Sequence, residues 1–251
     1  MIYAYQVYET VLDLCRKDLR GRGLSVEEYN NTAKVVNQIV FNKYYGEFES
    51  TEENSEAMSA FKVTNEAIAI GLGGIGALPT RYYHVVGMPR YVDTGGVTRF
   101  LDLVSSLEHA KREQDYLTKA TLTHPTYRLG IATTTSDMTM YVTPTTGIAT
   151  VYMDYLRTAD VPFLDYFLSD TTFNYTWMAA GASVTIPSGS TARDGTTGTF
   201  LAYPSTTVDW EWDEDDLPMI VTLFLKQLGI SLPSAELYQG GSLQEDKLDI
   251  Q

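Results

Sequence analysis

The feature of this sequence that most constrains its fold is the segment from Val208 to Leu232, where an acidic stretch leads into an apolar helix. Six residues at helical spacing form one apolar face: Leu217, Ile220, Val221, Phe224, Leu225 and Leu228. Asp216 stands at the N-cap position, Pro218 lies in the first turn, and Gly229 follows as a C-cap. Such a helix is stable only when its apolar face is removed from water, so the rest of the chain has to cover it.

Two more helices are predicted at the N-terminal end. The first covers Ala4 to Leu19 and carries Cys15, the single cysteine, on its apolar face. The second begins at the capping box Ser25-Val26-Glu27-Glu28 and continues to about Gly46. We expect these helices to form an antiparallel hairpin, and Thr51 to Phe61 to form a third, weaker helix. One cysteine excludes a disulfide within the chain, so the thiol is expected to be a small buried hydrophobe.

The middle of the chain has the pattern of β structure. Three segments with alternating side chains stand between turn signals, namely Tyr127–Ala132, Met138–Thr143 and Ala149–Arg157. Further strands are expected within residues 163–208, together with a long flexible loop from Ser188 to Gly198. Residues 208–212 alternate between apolar and acidic, which predicts a half-buried strand before the last helix. Because helices and strands occupy separate stretches, the predicted class is α+β.

We therefore expect an N-terminal helical hairpin and a C-terminal helix that form a helical part, with an antiparallel β-sandwich-like part in the middle. The helical part comprises residues 1–62 and 213–232. Residues 63–124 form a mixed α/β connecting part, and residues 125–212 form the antiparallel β part, with 163–208 as an elaboration of it. Residues 233–251 form a tail that is either mobile or held by an interface.

The net charge of −14 over 251 residues limits the partners of this chain. A protein that binds nucleic acid without sequence preference needs lysine and arginine to displace counterions, and docking on an anionic membrane makes a similar demand. Strong acidity instead keeps a protein soluble, or provides a surface along which nucleic acid passes without adhering. The sequence has neither the basic start of a signal peptide nor an apolar run long enough to cross a bilayer, which favours a cytoplasm-like compartment.

Two patterns in the sequence imitate functional motifs. Gly71 to Gly76 matches G-x-G-x-x-G, but Pro79 follows too soon for the long helix of a dinucleotide site. Close backbone packing or a flexible loop is the better interpretation of these glycines. The acidic run from Asp209 to Asp216 offers oxygen ligands without the spacing of a calcium loop. Solvated acids at the positive end of a helix are the better interpretation of that run.

Catalytic signatures are absent from the sequence. The three histidines, His84, His109 and His124, have no metal-binding spacing, and neither a G-x-S-x-G motif nor a phosphate-binding loop occurs. We therefore expect a chain that is not an enzyme, with no catalytic residue, no cofactor and no metal.

Six short segments occur in an order typical of one family. They are Leu78–Tyr83 (LPTRYY), Thr123–Arg128 (THPTYR), Met140–Pro144 (MYVTP), Val151–Arg157 (VYMDYLR), Asp209-Trp210 and Leu228–Leu232 (LGISL). With the helical N-terminus, this order resembles the head-to-tail ring proteins (tail tubular or adaptor proteins) of short-tailed bacteriophages, most closely those of crAss-like phages. The resemblance covers most of the chain except residues 163–208.

The resemblance implies a structural protein of the virion, assembled in the cytoplasm of the host bacterium. Its copies would form a ring, commonly a dodecamer, that contacts the portal and neighbouring tail ring proteins around the DNA exit channel. DNA would pass through without sequence-specific binding, and no membrane would be involved. Aromatic residues supply much of the binding energy at such contacts, and Trp210, Trp212 and Tyr238 are the predicted interface residues. For the two tryptophans, a role in the core is the open alternative.

Three other functions stay open. The chain fits a different virion component, such as a tail-fibre adaptor, a minor head protein or cargo inside the capsid. Alternatively, the strands and loop between Pro125 and Val208 form a glycan-binding β module that is compact in isolation. Finally, the acids from Asp209 to Asp216 would serve a metal-dependent hydrolase.

Overall fold

The computed structural model describes residues 1–17, 24–46, 48, 56–115, 117–131, 138–172, 174–197 and 200–229. The fold is α+β, as predicted, with helices towards both ends and antiparallel sheets between them. The helices are α1 (Ala4–Lys17), α2 (Val26–Gly46), α3 (Ser106–Gln114) and α4 (Leu217–Gln227), with 3-10 turns at Met58–Phe61 and Glu214–Asp216. Within these described residues, no helix combines the length and apolar character that a membrane span requires.

The chain divides into two compact units. The helical unit contains Met1–Ala57 and Ala159–Gln251, and the sandwich unit contains Met58–Thr158. This division differs from the predicted one in two respects. Residues 63–124 are not a connecting part, because their strands pair with those of 126–157 in common sheets. Residues 163–208 do not extend the sandwich, because they belong to the helical unit.

The sandwich unit is built from two sheets with a shared core. Its strands are β1 (Lys62–Ala69), β2 (Ile75–Ala77), β3 (Tyr82–Val85), β4 (Arg90–Val92), β5 (Thr98–Phe100), β6 (Asp102–Leu103), β7 (Thr126–Ile131), β8 (Met138–Thr143) and β9 (Thr150–Arg157). One sheet has the order β1-β9-β4-β5, with β3 also paired to β9, and the other has the order β2-β8-β7-β6. All pairs are antiparallel except β6 with β7. Side chains from both sheets, such as Met153 and Met140, pack in one core.

Local sequence patterns account for much of this unit. The three strands predicted from alternation correspond to β7, β8 and β9, and they place Tyr127, Met140 and Met153, among others, in the core. Ser105 caps α3 by accepting a hydrogen bond from the backbone N–H of Glu108, at 3.1 Å. As the polar composition of this helix predicts, none of its residues is buried.

In the helical unit, α1 and α2 both pack against α4. The ring of Phe224 on α4 stacks on Tyr29 of α2 with centroids 5.1 Å apart, and it also contacts Trp210. Tyr29 in turn donates a hydrogen bond from its hydroxyl to the carbonyl of Ala4 at the start of α1. Cys15 is buried on α1, as expected. The apolar face predicted for the last helix is therefore covered by the N-terminal helices.

The same unit carries two small sheets. Its strands are β10 (Asp165–Ser169), β11 (Tyr175–Met178), β12 (Ser183–Ile186), β13 (Ser190–Ala192) and β14 (Phe200–Pro204), in the orders β11-β10-β13 and β12-β14. The prediction of a long flexible loop from Ser188 to Gly198 is wrong, because residues 190–192 form β13 and pair with β10. The prediction of a strand at residues 208–212 is also wrong, because no regular strand forms there. Only single bridges join Trp210 to Ile2 and Val208 to Phe163.

The start of α4 differs in detail from the prediction. Asp216 occupies the N-cap position, but its side chain makes no capping hydrogen bond and its backbone is already helical. The reason is the 3-10 turn that precedes the helix, after which the carboxylate accepts a hydrogen bond from the hydroxyl of Tyr44 instead. At the other end, Gly229 has a positive φ of 68°, the conformation that glycine adopts most readily, and ends the helix as predicted.

Candidate assembly surface

Exposed apolar side chains are concentrated in the sandwich unit. Among the described residues, nineteen large apolar side chains are exposed, and thirteen of them lie in this unit although it holds fewer than half of those residues. Single exposed leucines need no explanation in a soluble protein, whereas a group of them around one depression indicates a binding surface. The relevant question is therefore which of them lie together.

One open groove of about 530 Å³ is bordered by two of these side chains, Met88 and Leu103. It lies between the loop that joins β3 to β4 and the short strand β6, with α3 and β7 contributing one residue each. Leu101, Pro89 and Tyr127 are buried and form its inner surface, whereas Met88 and Leu103 are 53% and 62% exposed at its rim. A volume of this size accommodates several side chains of a partner.

Four of the ten residues that line the groove carry ionisable side chains. Arg112 reaches it from α3, where an ion pair with Glu108 one turn away holds the guanidinium. His84 and Asp102 also line it. Burial raises the pKa of Tyr127 to about 12, so this phenol is neutral at physiological pH. The groove therefore combines polar and apolar surface in similar parts, with one cation and one carboxylate in its lining.

The position of α3 beside the groove is fixed by its contact with the sheet. Nε2 of His109 lies 3.0 Å from the Thr143 hydroxyl at the end of β8. At the inner surface of the groove, the backbone N–H of Leu101 donates to the carbonyl of Pro89 at 2.8 Å. One hydrogen bond thus holds α3 to the sheet, and the other joins two residues that line the groove.

The two units differ sharply in charge. The sandwich unit contains nine lysines and arginines against eight aspartates and glutamates, together with all three histidines. The helical unit contains the remaining nine basic and 24 acidic residues, which leaves it with a net charge of −15. The acidity of the chain therefore belongs to one unit, and the groove belongs to the other.

The predicted interface tryptophans are inside the helical unit. Trp210 is fully buried and donates its indole N–H to the hydroxyl of Tyr29 at 3.2 Å. Trp212 is almost fully buried and donates to Oδ1 of Asn37 at 2.8 Å. Both tryptophans therefore fill the core, which was the open alternative, and neither indole is accessible to a partner of the folded chain. The third predicted residue, Tyr238, lies outside the described residues.

Two acids of the run from 209 to 216 accept hydrogen bonds from distant backbone N–H groups. Asp209 accepts a hydrogen bond from the backbone N–H of Ala4 at 2.8 Å and so caps the start of α1. Glu211 accepts from the backbone N–H of Asp160 at 2.7 Å. These two acids are thus structural acceptors rather than the solvated acids that were predicted. Across the described part of the chain, no three His, Cys, Asp or Glu side chains come together in an arrangement that would hold a metal.

The glycine-rich segment forms a tight turn between β1 and β2. Gly74 has a positive φ of 74°, and a Cβ at this position would lie 2.3 Å from the carbonyl oxygen of Val142. A strand follows the motif, not the helix N-terminus that would hold a pyrophosphate. Close backbone packing, the interpretation preferred from the sequence, therefore accounts for this glycine.

The groove residues were missed by sequence reasoning because no motif marks them. Leu103 lies in the apolar run Phe100–Val104, where Leu101 two residues earlier is buried while Leu103 is 62% exposed. The sequence therefore carries no local signal that marks Leu103 as a surface residue.

No protein-family model matches this chain, and no curated protein matches its sequence. Of the six segments that resemble phage ring proteins, four lie in the sandwich unit. Two of them, Val151–Arg157 and Met140–Pro144, include most of the central strands of its two sheets. The resemblance is therefore carried mainly by the unit that also contains the groove.

Proposed function

We propose that this chain is a structural subunit of a bacteriophage virion, which forms an oligomeric ring of the portal–tail assembly around the DNA exit channel. The observation that carries the proposal is the number of exposed apolar side chains in the sandwich unit, two of which, Met88 and Leu103, border the groove. A subunit whose main task is to contact other subunits needs such a surface, and it needs no catalytic group.

The charge of the chain supports the proposed position of the ring around the DNA exit channel. Each copy contributes a net charge of −14, so a ring of many copies presents strong negative potential to anything inside it. DNA that enters such a ring is repelled by its wall instead of adhering to it, because the 32 acidic residues of each copy outnumber the 18 lysines and arginines that could replace its counterions. The ring permits passage of DNA without sequence-specific contacts. The portal and neighbouring tail rings are the proposed partners, and the virion is the proposed location.

The test is mass photometry of the purified protein over a range of concentrations, supported by negative-stain images. A closed ring with a central opening is the expected result. A stable trimer would instead favour a tail-fibre adaptor. If the protein is monomeric at every concentration, a pull-down with the portal decides, since ring proteins of this type often assemble on a template. Failure to bind the portal would then remove the proposed role.

One observation favours glycan binding as a second candidate. On β11, the rings of Tyr175 and Trp177 stack with centroids 5.6 Å apart, and Tyr175 is 42% exposed. Exposed aromatic faces attract the C–H groups of sugar rings. The predicted isolated module from Pro125 to Val208 does not correspond to a compact unit, because it crosses the boundary between Thr158 and Ala159.

This second candidate is tested with a glycan array on the whole protein. Replacement of Tyr175 by alanine should abolish any signal. The same replacement at Tyr3, an equally exposed tyrosine stacked on Tyr5, serves as the matched control and should leave the signal unchanged. An array without specific signal excludes this candidate.

A further inference from the structure

We propose that the ring of Tyr175, the carboxylate of Asp170 and the hydroxyl of Thr191 together form a binding site for one neutral pyranose ring. This inference rests on the second candidate function, glycan binding, and it is independent of ring assembly. It adds the polar groups that hold the sugar, and it names the class of sugar that the site accepts.

An ordered group of aromatic rings lies on one face of the small sheet β11-β10-β13. Tyr175 and Trp177 are two residues apart on β11, so their side chains point to the same face. Tyr166 of β10 is paired opposite Trp177 and meets both rings edge to face, with its centroid 5.1 Å from that of Tyr175 and 6.4 Å from that of Trp177. Tyr8 of α1 also packs on Trp177, with centroids 4.8 Å apart. These contacts hold Tyr175 in place without a ligand.

One face of the Tyr175 ring is open. Its other face stacks on Trp177 with an angle of 7° between the ring planes. Among the described residues, only Tyr166 and Trp177 make ring contacts with Tyr175, and its hydroxyl makes no hydrogen bond there. The π face of an aromatic ring is negative, so an open face attracts the C–H groups on one side of a sugar ring.

The strand register brings a carboxylate and a hydroxyl to the open side of Tyr175. Leu168 of β10 is paired with Tyr175 on one side and with Thr191 of β13 on the other, so these three side chains lie in one row. Asp170 follows two residues after Leu168, and its Oδ1 accepts a hydrogen bond from the Thr191 hydroxyl at 2.8 Å. Because β10 and β11 are antiparallel, Asp170 lies on the side of Tyr175 that faces away from Trp177. Such diagonal neighbours are about 7–8 Å apart, so one sugar ring on Tyr175 reaches both polar groups.

Asp170 has unused capacity to accept hydrogen bonds. A carboxylate offers about four acceptor positions on its two oxygens. In the part of the chain that the structure describes, the Asp170 carboxylate receives one hydrogen bond, from Thr191, and makes no ion pair. It therefore accepts from two neighbouring hydroxyls of a sugar, in hydrogen bonds that its charge strengthens. The Thr191 oxygen, whose proton is directed at Asp170, accepts from a third hydroxyl.

Charge determines which sugars the site accepts. Asp170 is itself an anion, and it belongs to a unit with a net charge of −15. A sugar that carries a carboxylate, such as a uronic acid, is repelled by this potential, whereas a neutral sugar is not. An aromatic face with a few placed polar groups is the usual composition of a small-ligand site. The proposed ligand is thus a neutral pyranose with neighbouring hydroxyls.

The first experiment measures binding of simple glycosides to the full chain by saturation-transfer NMR and titration. The probes are methyl β-D-glucopyranoside, methyl β-D-galactopyranoside and methyl α-D-mannopyranoside. Methyl β-D-glucuronide is the charged counterpart of the first probe. We expect saturation transfer to ring C–H protons of at least one neutral glycoside, and clearly weaker binding of the glucuronide than of the glucoside. Equal or stronger binding of the glucuronide would contradict the account of the charges.

The second experiment compares two aspartate-to-asparagine variants. Asp170→Asn keeps the shape of the side chain and removes its charge. Asp213→Asn, the matched control, removes the same charge from an 88% exposed aspartate just before the 3-10 turn Glu214–Asp216. We expect Asp170→Asn to weaken binding of the preferred glycoside at least about tenfold, and the control to bind like the wild type. Melting should change little in either variant, since both side chains are exposed.

The outcomes separate this inference from glycan binding as such. If Tyr175→Ala abolishes binding while Asp170→Asn binds like the control, the inference fails and glycan binding stands. A glycan array that responds only to anionic sugars would also overturn the inference. If neither the array nor the three neutral glycosides give a signal, the inference and the second candidate fail together. The proposal of a ring subunit is unaffected by any of these results.

Discussion

A buried carboxylate gives the sharpest prediction for the stability of the helical unit. Asp165 at the start of β10 is fully buried. Its Oδ2 accepts hydrogen bonds from the backbone N–H and the hydroxyl of Thr206, both at 2.9 Å, and its Oδ1 accepts from the backbone N–H of Tyr166 at 3.0 Å. Nε of Arg193 lies 3.5 Å from Oδ1. This carboxylate therefore joins β10 to the segment that follows β14.

Replacement of Asp165 by alanine leaves these three donors without their acceptor. The backbone N–H of Tyr166 is buried, and a buried donor that loses its partner costs about 1–3 kcal/mol. Thr206 is exposed and Arg193 is partly exposed, so water replaces their lost partner and they add little to the loss. We therefore expect the free energy of unfolding to fall by about 1–3 kcal/mol, a sizeable part of the stability of a typical domain.

The assay uses the tryptophans of the chain. All three, Trp177, Trp210 and Trp212, lie in the helical unit, so their fluorescence during urea unfolding reports on this unit alone. With a slope of about 2 kcal/mol per molar urea, the predicted loss lowers the midpoint by roughly 0.5–1.5 M. The matched control is Asp170→Ala, since Asp170 is exposed and accepts one hydrogen bond, from the hydroxyl of Thr191 at 2.8 Å. Equal midpoints for the two variants would refute the reasoning.

Two further predictions concern single positions in each unit. Gly74→Ala should destabilise the sandwich unit by more than about 2 kcal/mol, because the new Cβ meets the carbonyl of Val142 at a position with positive φ. Gly87→Ala, which has a similar φ but nothing within 4 Å, should cost only about 1 kcal/mol, and circular dichroism during urea unfolding compares the two. Burial raises the pKa of Asp216 above its usual value of 3.8, so the folded state favours the protonated carboxyl and its contribution is lost as pH rises through the raised pKa. Asp216→Asn should remove this part of the pH dependence of the fluorescence midpoint as the pH rises above the usual carboxyl pKa, despite the hydrogen bond from Tyr44, and an unchanged pH profile would contradict the assignment.

The candidate site shows where prediction from the sequence stops. Leu103 and Met88 are 15 residues apart, and nothing in either local pattern indicates that they border the same depression. The sequence alone gives the net charge of the whole chain. The distribution of that charge between an acidic unit and a nearly neutral one depends on which segments fold together. Residues 163–208 illustrate this, since their strands resemble those of the sandwich in composition and yet belong to the other unit.

The sequence by itself determined the elements whose cause is local. The apolar face of α4, the capping boxes at Ser25 and Ser105, and the alternation of β7, β8 and β9 each follow from neighbouring residues, so they could be predicted. The tertiary structure alone decided the roles of the acidic run and of the tryptophans beside it. Asp209 caps a helix that begins 205 residues earlier, and such a partner is chosen only when distant segments pack together. Local patterns select secondary structure, whereas long-range packing decides which side chains are enclosed and which surface is left for a partner.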